Sequence, residues 1–139
     1  MDKLLILRKL TELDTYMQQI GEYQAISVGE YRGDWKIQRI IERTLQMMIE
    51  LCVDIANHII SEKALPVPTS YADTFEILKR YFLISDSLAE IMVRMAKFRN
   101  ILVHQYTQVD ALIVVSILQA HLNDFTLFRN EIVDLLQEK

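Results

Sequence analysis

The sequence predicts an all-α fold, an up-and-down bundle of about five helices that occupies residues 1–139 as a single domain. Three observations lead there. Apolar residues return every three or four positions through most of the chain, the period of a helix that buries one face. Only three Gly and two Pro interrupt 139 residues, of which 51% are hydrophobic, enough for a core without frequent turns. The breaks that do occur coincide with capping signals.

Leu4, Leu7, Leu10, Leu13, Met17 and Ile20 describe a first helix from about residue 2 to about 26. Gly29 and Gly33 break it, and Asp34 is an N-cap candidate for the second helix. The second carries the stronger pattern of Ile37, Ile41, Leu45, Met48, Cys52, Ile55 and Ile59, and runs to about residue 62. Leu65-Pro66-Val67-Pro68-Thr69-Ser70 is the one clear linker, because proline removes backbone donors and drives the preceding residue out of the α region. Ser70-x-x-Asp73 and Ser87-x-x-Glu90 match capping boxes that open a short third helix and a fourth bearing Arg94, Lys97 and Arg99. Thr107-x-x-Asp110 matches again and opens a fifth, which continues through Leu112, Val115, Leu118, Leu122, Phe125, Phe128, Ile132 and Leu135.

Composition narrows the function classes. The single Cys52 excludes an internal disulfide framework, and the Cys and His spacing of a zinc site is absent, so the expectation is a reducing, cytoplasmic setting with no metal and no cofactor. The apolar run at the N-terminus is too short for a signal peptide, and charges cut every later run before a membrane span accumulates. A net charge of -4 argues against a broad grip on nucleic acid, so any phosphate contact is concentrated at a local site.

One run supplies such a site: Arg99-Asn100-Ile101-Leu102-Val103-His104-Gln105-Tyr106. A permanent cation, an imidazole and a phenol lie within eight residues of an apolar stretch, and together they can handle a phosphate. In an ideal helix Arg99 and Tyr106 share a face, as do Asn100 and His104, whereas Arg99 and His104 diverge by about 140°. Either the helix loosens before Thr107, or a second copy of the chain supplies the missing partner; the second is favoured. Ile101-Leu102-Val103 and Leu112-Ile113-Val114-Val115 are apolar on several faces at once, which a homodimer would cover. Each residue also has a plainer reading. Arg99 suits a helix C-terminus, His104 a structural hydrogen bond and Tyr106 half-buried packing, and it is their spacing that raises them together.

The run Arg99-x4-His104-x-Tyr106, with Asn100 after the Arg, resembles the signature of the HEPN superfamily, and within it of the HepT-like toxins paired with MntA-like minimal nucleotidyltransferases. Arg39-x2-Glu42-Arg43-x-Leu45-Gln46, Asp54-Ile55-Ala56-Asn57-His58-Ile59 and Tyr71-x-Asp73-x-Phe75-x2-Leu78 resemble the same family, so the likeness spans about residues 35–135. It implies a HEPN-like homodimer that cuts RNA without a metal, tRNA or mRNA, with Arg99 and His104 catalytic and Asn100 supporting. It further implies that the cognate nucleotidyltransferase antitoxin silences the toxin by adding AMP to Tyr106. The competing reading is a non-catalytic helical dimer that binds nucleotide or a nucleotidyltransferase partner.

Other polar residues receive structural readings. Asp54 and His58, four apart on a helix, make a surface hydrogen bond more readily than a two-ligand metal site. His121 sits in a periodic apolar helix and reads as structural, and the scattered Met residues read as core or interface filler. Trp35 reads as an anchor for the start of the second helix. Arg39, Glu42 and Arg43 form a solvated or dimer-facing charge ladder, with a basic rim for RNA as the other option.

Overall fold

The computed structural model describes residues 2–138, so the two end positions of the expected domain lie outside the described residues. All regular structure among them is helical. The order is α1 (Lys3–Gly21), α2 (Val28–Gly33), α3 (Trp35–Glu62), α4 (Tyr71–Arg80), α5 (Asp86–His104), a 3-10 turn (Tyr106–Gln108), α6 (Ala111–Ser116), a π segment (Ile117–His121) and α7 (Asn123–Gln137).

The 28-residue α3 organises the bundle. One side of it buries Ile41, Leu45, Met48, Ile49, Cys52 and Ile55 among others, and α1, α2, α4 and α5 pack around that side. Asp34 caps it as the sequence indicates, its carboxylate accepting from Lys36 N at 2.9 Å and Ile37 N at 3.3 Å. Helix α7 closes the bundle against α1 and α5, with Phe128 edge-on to Phe75 of α4 at 6.2 Å between ring centroids. The Arg129 Nε donates to both oxygens of Asp14, at 2.8 and 3.0 Å, and fastens α7 to α1. Burial raises the Cys52 thiol far above its ordinary pKa, so this cysteine is inert core rather than a nucleophile.

The structure corrects four boundaries. Helix α1 stops at Gly21, before the expected 26, and the following break holds the extra helix α2. A capping box starts α2: the Ser27 hydroxyl accepts from Glu30 N, and the Glu30 carboxylate accepts from Ser27 N, each at 3.1 Å. Those bonds hold the Glu30 carboxyl below its ordinary pKa. Helix α5 is capped by Ser85 rather than Ser87: Glu131 of α7 accepts from both the backbone N and the hydroxyl of Ser85, which frees the hydroxyl oxygen to cap Leu88 N. The expected fifth helix starts at Asp110, not Thr107, and divides into α6 and α7 with a 54° bend between Ala111–His121 and Asn123–Gln137. The π segment causes that division by inserting one residue more per turn than an α-helix holds. The described residues thus form seven α-helices where about five are expected. No single helix among them is long and apolar enough to cross a membrane.

The turn between α4 and α5 carries backbone strain. Phe82 takes φ 59°, the left-handed conformation of a helix C-terminal stop, and its N–H and that of Leu83 return to Lys79 O and Leu78 O. Its side chain is 94% exposed, so packing offsets little of the strain. Phe82→Gly is therefore expected to stabilise the fold by about 1 kcal/mol. Chemical denaturation measures this, and a lowered midpoint would mean that Phe82 holds the turn through contacts of its own.

Candidate active site

Helix α5 ends at His104, and its termination shapes the site. Gln105 leaves helical geometry (φ -134°, ψ 40°) while its N–H still reaches Ile101 O at 2.9 Å. The 3-10 turn Tyr106–Gln108 and an extended Val109-Asp110 follow before α6. The helix loosens only after His104, so Arg99 and His104 both remain in regular α5 and the loosening does not turn them toward one point. The Asp110 carboxylate takes the Leu112 N–H of α6 at 2.8 Å, so one of the free N–H groups at that helix start is already satisfied.

Arg99 lies against α3 with its side chain only 16% exposed. Its Nε donates to Glu50 Oε2 at 2.9 Å, and its second terminal nitrogen lies 2.9 Å from the same oxygen. Asn100 Oδ1 accepts from the first terminal nitrogen at 3.2 Å. The guanidinium carbon stands 4.6 Å from the centroid of the Tyr71 ring at the start of α4. Gln46 Nε2 donates to Glu50 Oε2 at 3.1 Å and holds the carboxylate in turn. A guanidinium has five N–H donors, and these contacts occupy three, leaving one on each terminal nitrogen for a ligand.

His104 stands exposed on the last turn of α5. Tyr106 is 68% exposed and lines a groove of about 490 Å³ with Leu102, Val103 and, from α3, Arg39, Glu42, Arg43 and Gln46. The structure therefore brings Arg99 and Asn100 together and sets Tyr106 opposite the α3 arginines. Asn100 engages the guanidinium. Glu50 is absent from the sequence expectations, and Tyr71 enters them only within the family-like run and with no role at the site, although both touch Arg99. Their only signal in the chain is an acidic residue and an aromatic on neighbouring helices, which many helices carry.

Three plainer readings change. Asp54 pairs with Lys9 of α1 at 2.5 Å rather than with His58. His121 ends the π segment half-exposed, with Asp124 Oδ2 3.4 Å from its Nδ1. Trp35 is 62% exposed, so it does not anchor α3 by burial. Among the described residues no three His, Cys, Asp or Glu side chains gather as a metal site would require.

Residues 13–132, which include this site, match the family of HepT-like ribonucleases. The chain belongs to the HepT-like family. It is 32% identical over 124 residues to the mRNA nuclease HepT of Shewanella oneidensis, across 89% of this chain and 92% of that protein. It is 25% identical over 131 residues to the tRNA nuclease HepT of Aphanizomenon flos-aquae, across 94% of this chain and 89% of the relative. The fold superposes with a TM-score of 0.87 on the tri-AMPylated HEPN toxin of Shewanella oneidensis solved in complex with its MNT antitoxin, at 31% identity over 96% of this chain and 99% of that one. The HEPN resemblance of the motif thus extends to the whole bundle.

In this HepT-like chain, the contact between Arg99 and Glu50 crosses from α5 to α3. A double-mutant cycle of Arg99→Gln and Glu50→Gln, read by chemical denaturation, is expected to give a coupling of about 1–2 kcal/mol. A coupling near zero would show that the pair contributes nothing to holding α5 on α3.

Proposed function

We propose that this chain is the toxin of a two-gene toxin and antitoxin module, a dimeric, metal-independent endoribonuclease of the cytoplasm that a partner nucleotidyltransferase silences by adding AMP to Tyr106. The observation that carries the reading is the end of α5. A guanidinium fixed by Glu50, Asn100 and Tyr71 keeps two donors free, and an exposed imidazole and phenol follow within about two turns.

Those groups suit cleavage of RNA through its own 2′-hydroxyl. The 2′-oxygen attacks the adjacent phosphorus and the bond from phosphorus to the 5′-oxygen breaks, leaving a 2′,3′-cyclic phosphate and a 5′-hydroxyl. The reaction needs one proton removed from the 2′-oxygen and one delivered to the departing 5′-oxygen, with charge relieved on the phosphoryl oxygens between them. An imidazole serves either transfer. The two free donors of Arg99 match two phosphoryl oxygens, and holding the fork in advance spares the cost of ordering it when the strand arrives.

A second copy completes the arrangement, one His104 acting as base and the partner's His104 as acid. Supporting it, Leu112 and Ile113 of α6 stand exposed beside Ile91, Met95, Phe98 and Ile117, along a groove of about 340 Å³ on the face where α5 meets α6. Apolar surface of this kind suits a two-fold contact that sets two α5 helices side by side.

Tyr106 suits modification because its phenol is exposed. Its oxygen attacks the α-phosphorus of ATP, pyrophosphate leaves, and the phenolic proton passes to solvent or to the transferring enzyme. The product carries bulk and negative charge beside the motif, where an RNA phosphate must otherwise bind. The likeness to a tri-AMPylated toxin in complex with an MNT antitoxin supports this step.

His104→Ala is expected to lower RNA cleavage in excess chelator at least ~100-fold, with the fold and dimer retained. Tyr106→Phe is expected to keep cleavage and to lose the mass gain seen with partner enzyme and ATP. Equal cleavage by wild type and His104→Ala would reject the nuclease centre, and a mass gain that persists in Tyr106→Phe would reject Tyr106 as the acceptor.

A further inference from the structure

We infer that the exposed stripe Trp35, Arg39 and Arg43 of α3 is the track for a single-stranded RNA leading away from the motif, with Trp35 as a base-stacking platform. The inference rests on the nuclease reading above and adds to it the strand's path and its single-stranded form.

The three residues are four apart in sequence and so occupy one face of α3. That face looks outward: Trp35 is the most exposed residue of its size on the helix at 62%, and Arg39 and Arg43 are exposed as well. Arg39 lies with its guanidinium carbon 5.6 Å from the Trp35 ring centroid, and Lys36 Nζ lies 5.8 Å from it on the same helix. The indole stays 62% exposed with these two cations beside it, so its open surface suits a base and the cations suit the phosphates next to that base.

The stripe is continuous with the motif. Arg39 and Arg43 line the groove that Tyr106 borders. Arg43 also borders the adjoining polar hollow with Glu50 and Tyr71, the two residues that hold Arg99. From Arg43 to Trp35 the helix rises about 12 Å, the length of about three stacked nucleotides. Arg43 and Arg39 thus lie between Arg99 and the indole, with Glu42 and Gln46 in the same groove. Of the carboxylates along this path, Glu50 pairs with Arg99, Glu42 accepts from the Tyr31 hydroxyl at 2.5 Å and Asp34 accepts from the first N–H groups of α3, while the hollow also holds Glu12 and Asp54, the latter paired with Lys9. Lys36, Arg39 and Arg43 outnumber Asp34 and Glu42 along the stripe, which leaves it locally positive on a chain whose net charge is -4.

A single strand fits this track and a duplex does not. Stacking on Trp35 requires a base free of its neighbour, whereas a paired A-form helix offers side chains only its backbone and shallow groove. AMP attached to Tyr106 would enter the same groove opposite Arg39 and Arg43, so the modification would block the track as well as the motif.

Because Trp35 is the sole tryptophan, its fluorescence reports on the platform directly. The probe is a short single-stranded RNA of mixed sequence, titrated into the full-length His104→Ala chain, with the same RNA annealed to its complement as comparison. The expected results are quenching by the single strand, weaker binding of the duplex, and about ten-fold weaker binding of the single strand by Trp35→Leu. Arg39→Gln with Arg43→Gln is expected to lower the slope of log affinity against log salt by about 1.4. Circular dichroism melts confirm that each variant folds. RNA that binds with Trp35 fluorescence, affinity and salt slope all unchanged would place the strand elsewhere and overturn the inference while the nuclease reading stands. Trp35 fluorescence that instead follows protein concentration without RNA would make the stripe a protein contact and overturn it too. If wild-type protein neither cuts nor binds RNA, the nuclease reading fails and this inference falls with it.

Discussion

The structure depends on one helix meeting two demands at once. Helix α3 must fill the middle of the bundle, and it does so with a side that packs against α1, α2, α4 and α5. The same helix must also present polar residues to the outside. Its period allows both: Ile41, Leu45, Met48 and Cys52 recur toward the core, Trp35, Arg39 and Arg43 recur on one outer stripe, and Glu42, Gln46 and Glu50 recur on the stripe beside it. Burial fixes the rotation of α3 about its axis, since turning it would drag charged groups into the core. That rotation sets where Glu50 points, and Glu50 in turn sets where Arg99 rests. Site geometry here is a consequence of core packing.

The contact between Arg99 and Glu50 shows why this position calls for arginine. A lysine ammonium would meet the carboxylate, but all its donors radiate from one atom, so it could not also present a flat pair of N–H groups to a phosphate. A guanidinium can divide its donors between the carboxylate and the ligand the proposed function assigns it, and here its carbon also lies over the Tyr71 ring, 4.6 Å from the centroid. Half-burial strengthens the ion pair beyond what a surface pair achieves, while leaving the outer edge of the fork in reach of a ligand. Holding Arg99 in this way trades side-chain freedom for readiness.

How far the sequence announces this arrangement depends on the range of the interaction. The helix-forming period and the caps at Asp34 and Ser70 are local signals, and the structure has both caps in place. Ser87 and Thr107 match the same local rule and lose to Ser85 and Asp110, because Glu131 of α7 recruits Ser85 and the loosened end of α5 delays the next helix to Asp110. The π segment leaves no mark in the apolar pattern, since one extra residue shifts the phase without breaking the run from Leu112 to Leu135. The motif from Arg99 to Tyr106 is legible because its members sit close in sequence. Glu50, 49 residues from Arg99, is not, and no spacing rule connects them. Trp35 misleads for a related reason: an aromatic beside a helix cap usually packs inward, and only the surrounding cations show that this one faces water.

The end of α5 is where these constraints meet. Had the helix continued past His104, Tyr106 would fall on the face of Arg99, seven residues earlier, and that face is pressed against α3. The phenol would then be held between helices, out of reach of any modifying enzyme. The break at Gln105 sacrifices regular hydrogen bonds over a few residues, and the 3-10 turn recovers one of them through Gln108 N to Gln105 O at 2.8 Å. It lifts Tyr106 into solvent while leaving Arg99 packed. A chain with this motif on a continuous helix would keep its clamp and lose its accessible phenol. Under the proposed function the local break separates two roles: packing would hold the group that grips phosphate, and exposure would serve the group that a partner reaches.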